Sequence, residues 1–158
     1  MSELELHAEP IDSPASRELL GAYVALVRAR LASLGVQPGE RFFVDDDAFA
    51  GPGTAWLVAY EAERSVGCGG LCSPEPGIGE VKRLFVVEGA RGRGYGRALL
   101  RELERRAAAH GHGTLRLLTA DALGEASALY AAEGYVLVAR AQPPGGPVEL
   151  EYEKPIYS

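Results

Sequence analysis

Cysteine, methionine, tryptophan and histidine are scarce in this chain, with two, one, one and three residues. Two cysteines, Cys68 and Cys72, cannot build a disulfide framework. Together with His7, His110 and His112 they form no repeated ligand pair, so no metal site is expected. Long apolar runs are missing too. None approaches the ~18 residues of a membrane span. The opening Met1-Ser-Glu-Leu-Glu-Leu-His7 is acidic and alternating, not basic and then apolar, so no secretory leader is expected. A soluble cytoplasmic protein without a membrane partner is the expectation. A positive charge excess is also lacking: 16 Lys+Arg face 22 Asp+Glu, a net −6. That balance argues against a nucleic-acid partner.

No internal repeat and no dividing linker is visible. The 158 residues therefore read as one domain, 1–158. A hydrophobic share of 47% supplies a core and excludes a disordered tail. Half of the positive charge is concentrated in one stretch. Lys82, Arg83, Arg91, Arg93, Arg97, Arg101, Arg105 and Arg106 lie between Val81 and Arg106 with only three acidic residues. That window carries +5 and the remainder −11.

Periodicity gives the elements. Glu3–His7 alternates as a strand. Ser13-Pro14 reads as an N-cap followed by proline at the first helical position, and the helix it opens ends at Gly35. Gly39 to Gly53 reads as a short helix and loop. Strands follow at Trp56–Tyr60, Val66–Cys72 and Glu80–Val87, the first two as an antiparallel hairpin. A helix spans Arg97–His110, with Leu99, Leu100, Leu103 and Ala107 on one face. A strand at Leu115–Thr119, a helix at Glu125–Glu133, and strands at Tyr135–Ala139 and Val148–Lys154 complete the chain. This order implies an α/β fold with a mixed sheet and helices on both faces.

The most informative segment is Arg91-Gly92-Arg93-Gly94-Tyr95-Gly96, between a strand and a helix. Glycines let the backbone approach a ligand closely. Unpartnered amides and the dipole at the following helix N-terminus favour an anion. Arg91 and Arg93 add forked donors. A P-loop needs Gly-Lys-Ser/Thr, and here Arg97-Ala98 follows Gly96. A dinucleotide fingerprint needs G-x-G-x-x-G, and Gly92-x-Gly94-x-Gly96 has the wrong spacing. An acyl-coenzyme A pyrophosphate loop, Arg/Gln-x-x-Gly-x-Gly/Ala, is matched by Arg91-x-x-Gly94-x-Gly96 in every specified place.

With this loop, Glu80-Val-Lys-Arg-Leu-Phe-Val86 before it, and Leu129-Tyr130 and Gly134-Tyr135 after it, the chain resembles the GCN5-related N-acetyltransferases over about residues 54–154. The resemblance implies a mostly antiparallel sheet whose central fourth and fifth strands splay apart to admit the pantetheine arm of acetyl-coenzyme A. It implies that Leu84, Phe85 and Val86 flank the acetyl and pantetheine groups. Arg91, Gly92, Arg93, Gly94, Tyr95 and Gly96 would cradle the pyrophosphate. It implies acetyl transfer to a primary amine by direct attack in a ternary complex. Three problems then need groups. The departing thiolate needs a proton, for which Tyr130 is the implied donor. The amine must lose one, for which Glu80 is the candidate base; the plainer reading is a strand-end carboxylate paired with Lys82. The oxyanion needs a donor, for which the Val86 amide is implied. The acceptor is a small-molecule or peptide amine, and a homodimer is common among relatives. One residue departs from the pattern: Leu123 stands where relatives often carry an asparagine that helps hold the cofactor.

Other features read more plainly. Cys68 and Cys72 share a strand face and read as small apolar residues, with an acyl-accepting thiol as the remote alternative. His110 and His112 suit a helix C-terminus. Asp45–Asp47, with Phe42 and Phe43, could attract a cationic amine. Glu149, Glu151 and Glu153 line one strand face, most simply toward solvent. Two rival functions remain at this level: a non-catalytic acyl-coenzyme A sensor on the same fold, and a dinucleotide oxidoreductase.

Overall fold

The computed structural model describes residues 3–37, 44–121 and 123–156. The chain runs β1 (Leu4–Ala8), α1 (Pro14–Ser33), a 3-10 turn (Asp46–Phe49), β2 (Ala55–Glu61), β3 (Arg64–Glu75), β4 (Ile78–Val86) and a second 3-10 turn (Glu88–Ala90). It continues through α2 (Tyr95–Ala109), β5 (Thr114–Ala120), α3 (Gly124–Ala132), β6 (Val136–Ala141) and β7 (Glu149–Pro155). The strands form one seven-stranded sheet in the order β1-β2-β3-β4-β5-β7-β6. Every pairing is antiparallel except β4 with β5. The fold is a single-domain α/β arrangement with a mixed sheet, as the element order implies. Among the described residues no helix is long and apolar enough to cross a membrane.

Local chemistry explains the elements. Ser13 Oγ accepts the Ser16 amide at 3.1 Å, and Pro14 opens α1. Ser16 is wholly buried and its hydroxyl is fully engaged: it accepts from Trp56 Nε1 at 2.9 Å, donates to the Pro10 carbonyl at 2.9 Å and lies 2.8 Å from Ser13 Oγ. This pins the start of α1 to β2. On α2, Leu99, Leu100, Leu103 and Ala107 are fully buried against the sheet with Leu57, Leu71, Leu115 and Leu117. Each leucine withdrawn from water contributes roughly 1.5–3 kcal/mol. α1 covers the opposite face, where Leu19 packs with Phe49, Trp56, Val58, Cys68, Cys72 and Phe85.

Two irregularities in β4 set up the site. First, β4 pairs with β5 only over Ile78–Val81 against Thr114–Leu117. β4 then continues to Val86 and β5 to Ala120 with no pairing between them, so the sheet opens. Second, β4 bulges. Its partners on β3 jump from Cys68 opposite Phe85 to Gly70 opposite Lys82, leaving an extra residue in β4. Arg83 sits there at φ +59°, in the left-handed region that a non-glycine residue seldom adopts. The extra residue reverses the alternation of faces. Val81 packs on the α2 side, yet beyond the bulge Leu84 and Val86 do so, while Phe85 joins the α1 side.

Candidate active site

The opening sheet forms a cleft of about 480 Å³. Tyr23, Leu26 and Val27 of α1 line one wall, and Leu123, Glu125, Ala126, Leu129 and Tyr130 line the other. Leu84, Phe85 and Val86 form the β4 edge, and Ala90 to Arg97 close the end, except for Arg93. The size and the mainly apolar lining with few polar groups suit a ligand site.

At the closed end, the backbone presents donors. The first intrahelical bond of α2 runs from the Ala98 amide to the Gly94 carbonyl at 3.0 Å. The amides of Tyr95, Gly96 and Arg97 therefore have no intrahelical acceptor. Gly94 occupies the cap position at φ +82° with no side chain to satisfy them. Gly92 has φ +81°, and a Cβ added to either glycine would meet no protein atom within 4 Å. A doubly phosphorylated ligand fits this cradle in charge and in backbone access.

Electrostatics within the basic window differ from the sequence expectation. Lys82 pairs with Glu80, Arg83 with Asp46, and Arg93 with Glu61. Arg97 and Arg101 pair with Glu133, and Arg105 and Arg106 with Glu102. Among the described residues Arg91 alone of the eight makes no ion-pair contact, although its charge, after that of Arg30, helps to hold the Glu125 carboxyl below its ordinary range. Its Nε donates to the Val86 carbonyl at 2.9 Å, and its guanidinium lies 5.9 Å from the Phe85 ring centre. Arg93 is not on the cleft lining, and its Nη1 donates to both Glu61 oxygens at 2.9 Å.

Tyr130 lies at the inner wall. Its ring is held by Tyr152 at 5.7 Å and Tyr135 at 6.2 Å. Tyr135 commits its own hydroxyl to Glu104 at 2.9 Å, whereas Tyr130 faces the cleft. Burial, with smaller contributions from Tyr23 and Tyr152, pushes the Tyr130 phenol above its ordinary range. Tyr23 faces it from α1, packed edge-on to Phe85 at 5.9 Å. Its phenol is pushed up to about 12, chiefly by burial. Sequence reading passed over Tyr23 because at helical spacing it is one more apolar-face residue. Only the opening of the sheet beneath α1 gives it a cleft to face.

Glu80 does not line the cleft. It is buried opposite Arg116 of β5, which donates Nη2 to it at 3.0 Å, and Lys82 Nζ approaches its other oxygen at 3.3 Å. The pairing with Lys82 is thus present, and Arg116 is a partner that sequence spacing could not reveal. Glu149, Glu151 and Glu153 are half-buried, not simply solvated, on the sheet face that carries Arg116. Asp46 is engaged by Arg83 Nη1 at 2.7 Å, so one carboxylate of the Asp45–Asp47 cluster is already neutralised. Phe42 and Phe43 lie outside the described residues.

Three further residues have clear places. Leu123 is buried with Val27, Leu31 and Ala120. The asparagine-like contact is replaced by apolar packing between α1 and the start of α3. Cys68 and Cys72 are buried free thiols, pushed up to about 12 and about 11 by burial. Such thiols are poor nucleophiles. His112 is buried, with Nε2 donating to the Gly53 carbonyl at 3.0 Å, at the end of α2 remote from the glycine loop.

Comparison with known proteins gives consistent findings. Residues 52–137 match the family described as the acetyltransferase (GNAT) domain. The chain is 37% identical over 142 residues to an IAA acetyltransferase of Azospirillum brasilense, covering 87% of this chain and 93% of that protein. A candidate acyl-CoA N-acyltransferase of Klebsiella pneumoniae subsp. pneumoniae superposes with a TM-score of 0.76 at 25% identity, covering 98% of both chains. A GCN5-related N-acetyltransferase of Kribbella flavida superposes with a TM-score of 0.72 at 19% identity, covering 97% and 98%. At that identity the second structure speaks for the fold alone.

Proposed function

The chain belongs to the GNAT acetyltransferase family, and from that premise we propose that it moves an acetyl group from acetyl-coenzyme A to a primary amine by direct attack in a ternary complex. One observation carries this reading. A single cleft joins an amide-rich cradle at Gly92–Gly96, open above Gly92 and Gly94, to a phenol, Tyr130, deep in an apolar wall. That pairs a phosphate anchor with a proton donor. The Azospirillum relative, named for acetyl transfer, supports the reaction class.

Bound acetyl-coenzyme A supplies the activated thioester. The chain supplies the rest. Arg91, Gly92, Gly94, Tyr95 and Gly96 hold the pyrophosphate, and Leu84, Phe85 and Val86 flank the arm, with the Val86 amide offered to the carbonyl oxygen. Tyr130 Oη keeps its proton through the neutral range, because burial disfavours the phenolate. It therefore has a proton to give where the thiolate departs. Glu80 is the base for the amine's proton, reached through water because it stands back from the cleft, and taking that proton requires one oxygen to give up its contact with Arg116 or Lys82. Arg93 acts on the loop and not on the phosphates directly.

The test is acceptor-dependent release of free thiol from acetyl-coenzyme A across a panel of primary amines. Thiol release that tracks an amine supports the reading. Thermal protection by coenzyme A without release for any amine would favour an acyl-coenzyme A sensor. Protection by NAD(P) in place of coenzyme A would overturn the assignment.

A further inference from the structure

Glu61 lies at the end of β2, far in sequence from the glycine loop and opposite Arg64 at the turn into β3. Yet it is the meeting point of two loop residues. Arg93 Nη1 donates to both of its oxygens at 2.9 Å, and the Tyr95 hydroxyl donates to Oε2. Between those two residues is Gly94, the left-handed cap of α2. A single carboxylate thus grips the loop on both sides of the residue whose backbone must stay in an uncommon conformation. The grip comes from the hairpin and from outside the cleft: Arg93 and Glu61 are absent from its lining, whereas Gly92, Gly94, Tyr95 and Gly96 are on it.

We infer that Glu61 is a positioning residue that holds the Arg91–Gly96 loop in its ligand-ready shape from the side away from the ligand. This rests on the coenzyme A reading of the cleft. A six-residue glycine-rich loop left free must be ordered when the phosphates arrive, and ordering costs conformational entropy. Glu61 meets that cost during folding. The ion pair is half-exposed, with side-chain exposures of 51% for Arg93 and 23% for Glu61. Its own stabilisation is therefore small, and its effect is on affinity. Arg93 contributes through Glu61, so its removal loses part of what removal of Glu61 loses, the Tyr95 contact being kept.

The experiment uses the full chain and two donors, acetyl-coenzyme A and a phosphate-free acetyl thioester of the pantetheine end. Glu61→Ala is expected to weaken coenzyme A binding by roughly 3–10-fold, Arg93→Ala by less, and the double variant by no more than Glu61→Ala alone. KM for the phosphate-free thioester is expected to stay at its wild-type value, because that donor never meets the loop. Glu61→Gln, which keeps a partner for Tyr95 but not the charge, is expected to fall between. Glu63→Gln, an exposed change on the same hairpin, serves as the control for nonspecific effects. Additive losses in the double variant would show that Arg93 binds phosphate itself and would overturn the inference. Equal losses with both donors would show a general structural defect and would also overturn it. Failure of the wild-type chain to bind coenzyme A would instead refute the underlying reading of the cleft.

Discussion

Replacing Gly94 with alanine separates backbone strain from ligand binding. Gly94 sits at φ +82° and ψ 12°, and an added Cβ meets no protein atom within 4 Å. The folded chain therefore loses no packing, and the cost is the left-handed penalty, ~1–2 kcal/mol. For a chain of this size that lowers Tm by roughly 2–8 °C. The same Cβ stands on the open side of the loop, where a phosphate would approach the backbone. Coenzyme A at ~100-fold its Kd adds ~2.7 kcal/mol to the wild type. A tenfold loss of affinity removes ~1.4 kcal/mol, so protection falls by about half. Gly111→Ala is the matched control: it has φ +90° and open surroundings at the other end of α2. Thermal scans of the three proteins, with and without coenzyme A, decide the matter. Both variants should lose Tm alone, and only Gly94→Ala should lose protection. If Gly94→Ala keeps the full coenzyme A increment, the loop's open face is not the phosphate site.

Tyr130→Phe removes a hydroxyl and keeps the ring contacts with Tyr135 and Tyr152. Turnover should fall by roughly 10²-fold or more, while coenzyme A affinity measured by calorimetry stays within about twofold. For Glu80→Gln, the pH–rate profile should lose its acidic limb; an unaltered limb rejects the base role. The two thiols should resist a disulfide exchange reagent in the native state at pH 8, where pKa values of about 12 and about 11 leave roughly 10⁻⁴ and 10⁻³ as thiolate. Both should react on denaturation. Since folding raises these thiols above their ordinary 9.0, the unfolded chain releases protons first, and stability should decline as pH rises beyond about 9.

Much of the scaffold was legible because its signals are local. The Ser13-Pro14 cap, the leucine spacing of α2 and the strand–glycine–helix order around Arg91–Gly96 each lie within a few residues. The β4 bulge was not legible. Period-two alternation has no mark for an extra residue, and Arg83 is not the glycine that usually announces φ above zero. The bulge nevertheless decides which side of the sheet Leu84, Phe85 and Val86 occupy. The Leu123 departure was legible as a change, but its replacement by packing against Val27 and Leu31 needed α1 in place.

Charge shows the division most sharply. The sequence alone established the element order, the glycine loop, the tyrosine after it and a basic window of +5 within an acidic chain. Tertiary structure decided what that window can bind. Seven of its eight cations are met by carboxylates, some from the window itself and others as distant as Glu61, Asp46 and Glu133, which leaves Arg91, the Glu133-paired Arg97 and the backbone amides of the loop on the cleft. The reason is physical. Helical and turn preferences act between near neighbours, whereas ion pairs across 32 or more residues form only when sheet register and helix packing bring both partners to one place.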